Sequence, residues 1–148
     1  MSDVPQKVDI TLLAQYVNKI QELSSTNKMM APVYLQSMIM GQDCAANLLA
    51  KAMQQDSKAK SKVEHAEAIA YLERAKEYLD SKGIKDTSEA RKQYVNIDED
   101  VLVAKDNRAM TEALVALLKG KLSQLRQAHD DFKKIAYGDQ NLTQYEGM

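Results

Sequence analysis

The chain has 148 residues, with 20 basic and 21 acidic side chains and a formal charge of −1. That length sets a single domain as the prior. Near-neutrality excludes a global basic field that would draw in nucleic acid, so any polyanion site has to be a local stripe. With no Trp, one Phe, two Pro and five Gly, the composition favours long helices packed side by side over a sheet-based globule. Cys44 is the only cysteine, which rules out an intrachain disulfide and fits a reducing compartment. The start of the chain lacks a charged region followed by an apolar one, so no signal peptide is expected. No window approaches the roughly 20 uncharged apolar residues of a membrane span. A cytoplasmic protein with no membrane partner is the expectation.

Residues 1–8 read as a mobile leader. Asp9 can cap a first amphipathic helix over residues 9–23, in which Ile10, Leu12, Leu13, Tyr16, Val17, Ile20 and Leu23 fall at helical spacing. The polar run Ser24 to Asn27 breaks it. Pro32 suits the first turn of the next helix, and from Val33 to Gly83 only Gly41 interrupts. The spacing predicts a long helix, or two helices, over residues 32–82. Ala45, Ala52, Ala59 and Ala66 repeat every seven residues there and would let a second helix approach closely. The polar stretch 54–62 can be a solvated part of one helix or a bend between two.

Ser81-Lys82-Gly83 reads as a helix stop with glycine at the left-handed position. Thr87 can start a short helix over residues 87–95, and Asn96 or Asp98 can cap a final helix over residues 97–137. At 1.5 Å per residue that helix is roughly 60 Å long. Leu118, Leu122, Leu125, His129, Phe132 and Ala136 are spaced four, three, four, three and four, a coiled-coil seam repeating every seven. Leu118, Leu122, Leu125 and Phe132 are therefore the expected oligomer interface. Lys105, Lys119, Arg126 and Lys133 form a row on a second face. The helix is acidic at its front and basic behind, a gradient the helix dipole accounts for, so the helix is assigned mainly to assembly. Residues 139–148 read as a loose tail. The expected fold class is all-α, an elongated hairpin or bundle of long helices that oligomerises.

Enzymatic constellations are nearly absent. There is no phosphate-binding glycine loop and no Gly-x-Ser-x-Gly elbow. His65 and His129 are the only histidines, and neither has the Glu three residues earlier that a di-iron bundle requires. A non-enzymatic protein without metal or cofactor is expected, with Cys44 as a small packing residue. Tyr71 and Tyr78 lie seven apart with Arg74 between them and Lys82 one turn beyond. Aromatics interleaved with cations are what single strands stack on. A tyrosine pair at helical spacing can equally be a packing element with buried rings and wet hydroxyls.

The segments Ala66-Glu67-Ala68-Ile69-Ala70-Tyr71-Leu72 and Tyr78-Leu79-Asp80-Ser81-Lys82-Gly83 form a helix end. Asp98-Glu99-Asp100-Val101-Leu102 then opens the last helix. Over residues 58–138 this order resembles the phage recombination mediator family of the UvsY type, in which an Asp-x-Asp-Val-Leu stretch opens the final helix. The aromatics of that family's final helix are mostly Leu and Ala in this chain. The resemblance implies an oligomeric protein in the host-cell cytoplasm that binds single-stranded DNA. It would help load a recombinase onto strands covered by single-strand-binding protein. Lys58, Lys60, Lys62, Arg74, Lys82, Arg91 and Lys92 would then contact phosphates, and Tyr71 and Tyr78 would stack bases. The alternatives are a structural helical oligomer, such as a phage assembly or scaffold component, and an adaptor or inhibitor presenting the Met-rich residues 29–53 to a protein partner.

Overall fold

A computed structural model describes residues 8–138. The predicted tail and all but the last residue of the predicted leader lie outside them. The described residues are helical and contain no strand. Helix α1 spans Thr11–Asn18 and continues as a tighter 3₁₀ stretch over Lys19–Ser25. Helix α2 spans Ala31–Ile69 and passes through a π turn, Ala70–Arg74, into α3, Ala75–Ser81. Helix α4 is Ser88–Val95, and α5 is Glu99–Tyr137. Residues 54–62 are continuous α-helix.

The helix ends follow local chemistry. Asp9 Oδ1 accepts from the Thr11 amide at 2.9 Å. Asn27 holds the turn that leads into α2, its side-chain oxygen accepting from the Met30 amide at 2.9 Å. Pro32 is the second residue of α2, in the first turn, where its missing N–H forfeits no bond within the helix. The glycine stop holds: Gly83 has φ +65°, and the Ile84 amide returns to the Leu79 carbonyl. Thr87 Oγ1 caps α4 by accepting from the Ala90 amide at 3.1 Å.

The contacts divide the chain into two compact units, one of residues Ala52–Val115 and one of Val8–Lys51 with residues 116–138. Helices α2 and α5 contribute to both.

In the second unit, Leu13, Leu35, Met38, Ala45, Leu118, Leu122, Leu125, Ala128, Phe132 and Ala136 are buried. Tyr34 stacks on Phe132 with ring centroids 5.3 Å apart. Gly41 lets α1 approach α2 and α5, because a Cβ there would stand 2.9 Å from Tyr16 Cβ and 3.0 Å from Leu125 Cδ2. The seam assigned to subunit contact is thus covered by the chain's own α1 and α2 residues. Its burial also departs from the heptad pattern. Ala128 is inside, while His129 is a quarter exposed and points Nδ1 at Asp130.

In the first unit, Ala70, Val95 and Val101 form a small core flanked by Ala66, Tyr71 and Tyr94. Ala52 and Ala59 are buried on α2. Asp56 on α2 meets α5 through the Thr111 hydroxyl at 2.8 Å. Arg108 Nε lies 2.7 Å from Asp56 Oδ1, a charge contact without hydrogen-bond alignment.

Candidate nucleic-acid interface

The residues assigned to DNA contact lie in the first unit and fall into two groups. Arg74, Arg91, Tyr71 and Tyr78 are drawn into internal contacts around the π turn. Lys58, Lys60, Lys62, Lys82 and Lys92 are exposed.

Arg74, the last residue of the π turn, reaches Asp98, the residue before α5. Its Nε donates to Oδ1 at 2.8 Å and its Nη2 to Oδ2 at 2.6 Å. Asp98 also accepts from the Tyr94 hydroxyl at 2.8 Å and the Val101 amide at 3.2 Å. One buried carboxylate therefore caps α5, anchors α4 and holds the π turn. Asp98 is 4% exposed, and a carboxylate this buried needs such partners. The Arg74 guanidinium, opposed by burial, holds its pKa down at about 2. The same hydrogen bond raises the Arg74 pKa. Burial, then the bond to Asp98, pushes the Tyr94 phenol up. Asp100 adds a charge contact to Arg74 at 3.4 Å. Arg74, Tyr78, Tyr94, Ile97, Asp98, Glu99 and Asp100 line an open cleft of about 370 Å³. Its central charges already satisfy one another, so it offers a ligand neither a free base nor a free cation at its floor.

Arg91 on α4 is engaged in the same manner. It pairs with Asp86 through two bonds of 2.7 Å and donates from Nη1 to the Tyr71 carbonyl at 3.0 Å. That carbonyl lies in the π turn, where the widened i→i+5 pattern leaves backbone acceptors available to side chains. The hydrogen bond with Arg91 holds the Asp86 pKa down. The Tyr71 hydroxyl is 3.0 Å from Ser88 Oγ, and the Arg91 guanidinium sits 5.7 Å from the Tyr71 ring centroid. Tyr78 packs against Tyr94 at 4.8 Å, and the Lys82 ammonium lies 5.9 Å from its centroid. Both rings are half-buried.

Lys58, Lys60 and Lys62 project from α2 at alternating positions and spread around its circumference, as successive 200° steps require. No group of three or more His, Cys, Asp or Glu residues among the described ones could hold a metal ion. Burial raises the Cys44 thiol pKa, which lowers its thiolate fraction and its reactivity. No described helix is long and apolar enough to cross a membrane.

Two features escaped sequence reasoning. The π turn has no glycine or proline to mark it, and the four-residue Arg74–Tyr94–Asp98–Val101 node joins positions 24 residues apart. The acid-rich start of α5 was the one visible signal for the node. Comparison with known protein families, curated proteins and solved structures finds no match to this chain.

Proposed function

We propose that the protein is a non-enzymatic recombination mediator that oligomerises, binds single-stranded DNA and helps load a recombinase onto it. The observation that carries the reading is the exposed lysine set of the first unit: Lys58, Lys60 and Lys62 on α2, Lys82 beside the Tyr78 ring, and Lys92 on α4. Cations next to half-exposed aromatics suit a flexible strand that offers both phosphates and flat bases. Several weak patches brought onto one strand by oligomerisation would supply the avidity that one near-neutral protomer lacks. Arg74 and Arg91 serve this reading indirectly, by fixing the π turn that carries Tyr71. A fluorescent oligo(dT) titration at increasing salt tests it. Binding should weaken steeply with salt and fall on reversing Lys58, Lys60 and Lys62 to Glu; no binding at low salt would sink the reading.

A second reading, a helical adaptor or scaffold that binds protein, is favoured by the front of α2. Met29, Val33, Ile39 and Met40 are each half or more exposed there. Exposed apolar side chains in such density mark protein contact more often than solvent. Under this reading oligo(dT) does not bind, and Val33→Lys with Met40→Lys changes the native mass or abolishes capture of a protein partner.

A further inference from the structure

The second unit carries a basic face that the reading above leaves unused. On α5, Lys119, Arg126 and Lys133 are seven residues apart and exposed, so they stand in one row with about 10.5 Å between neighbours. None of the three has an ion-pair partner among the described residues, in contrast to Arg74 and Arg91. Residues 116–138 hold five bases and two acids. Of the acids, Asp131 accepts from Gln127 at 3.1 Å and Asp130 faces His129 at 3.4 Å. Tyr137, 55% exposed, follows Lys133 by one turn at the end of the row.

The helix dipole does not account for this arrangement. Its influence is confined to the last turn, which reaches Lys134 and the vicinity of Lys133. Lys119 and Arg126 stand 18 and 11 residues before the end of α5 at Tyr137. Nor is the face built for a bilayer surface, which needs an apolar stripe beside the cations. Leu118, Leu122, Leu125 and Phe132 of this part of α5 are turned inward and buried, and Leu117, 44% exposed, lies across the helix from the row. A single row of separated cations ending in an aromatic matches one phosphate backbone with unstacked bases better than a duplex, whose two strands flank a groove.

We propose that the outer face of α5 from Lys119 to Tyr137 binds the phosphate backbone of single-stranded nucleic acid, with Tyr137 stacking a base at its end. From Lys119 to Lys133 the row covers about 21 Å, enough to follow several phosphates of one strand. This site rests on the single-strand reading and adds a second, separately placed contact surface to it.

The test uses the full chain and fluorescent oligo(dT), following the slope of log K against log salt. Each phosphate neutralised on a single strand contributes about −0.7 to that slope. Replacing Lys119, Arg126 and Lys133 together with Gln should make the slope per protomer shallower by about 2 and weaken binding at least tenfold at moderate salt. Because the three side chains are exposed, the helical circular dichroism should be unchanged; the triple Glu variant should weaken binding further. Tyr137→Ala should weaken binding about fivefold or more with the salt slope unaltered, as loss of stacking requires. Wild-type binding that persists in the triple Gln variant with the same slope overturns this site and leaves the single-strand reading intact. Equal loss of affinity for duplex DNA or for anionic vesicles overturns the assignment to single strands. If the wild-type chain fails to bind oligo(dT) at low salt, both fall.

Discussion

Removing the Asp98 carboxylate isolates the contact that holds the first unit together. Asp98→Ala deletes the acceptor of the Val101 amide, a helix cap worth about 1 kcal/mol. It also leaves Arg74 and the half-buried Tyr94 hydroxyl without their partner. A hydrogen bond to a charged group contributes roughly 1.5–3 kcal/mol. Arg74 is 34% exposed, so water and Asp100 replace part of that loss. The expected cost is about 3 kcal/mol, a large share of the 5–15 kcal/mol typical of a domain. Urea unfolding at pH 7, followed by circular dichroism, measures it. Asp98→Asn keeps an acceptor for Val101 and should lie between wild type and Asp98→Ala. The same contact carries a pH signature. The Asp98 carboxyl falls from an ordinary value of 3.8 to about 2 on folding. A lowered folded pKa means stability that is complete above about pH 4 and lost as pH falls through 2, here about 2 kcal/mol. The gap between wild type and Asp98→Asn should therefore shrink over that window. A cost below about 1 kcal/mol for Asp98→Ala, or a gap constant down to pH 2, would refute the assignment of Asp98 as the junction of α4, α5 and the π turn.

Two glycine substitutions should act with opposite sign. Gly41→Ala drives a methyl against Tyr16 and Leu125 and should cost about 1–3 kcal/mol by overpacking. Gly120→Ala enters open space on a continuous helix and should stabilise by about 0.5–1 kcal/mol; thermal melts of both variants check the pair. Phe132→Ala removes a fully buried ring and its stacking on Tyr34, with an expected loss of about 3–5 kcal/mol in urea unfolding. Gly83→Ala places a side chain at φ +65° and should cost about 1 kcal/mol, read from the same melts.

The parts of the fold legible in the sequence are those governed by neighbours along the chain. Thr87, Gly83 and the acids around Asp98 mark helix ends because caps act over three or four residues, and each lies where its chemistry suggests. The 3–4 spacing of Leu118, Leu122, Leu125 and Phe132 likewise identified the buried face of α5. What covers that face was not legible, because a heptad seam reads the same whether its partner is another subunit or the chain's own α1 and α2. Arg74 and Arg91 looked like phosphate ligands for a related reason. An arginine's charge is visible in sequence, but the buried Asp98 and the π-turn carbonyl of Tyr71 that claim these two arginines depend on how helices meet. The distance of Lys119 and Arg126 from the end of α5 is legible in the sequence, but whether an acid from another helix pairs with them depends on tertiary contacts.

The most direct test of the account is the native mass of the full chain with and without oligo(dT) at low salt. The account predicts an oligomer whose mass increases on adding the strand, by at least one strand per particle, and reverts when salt is raised. A particle whose mass is unchanged by the strand at low salt would contradict it.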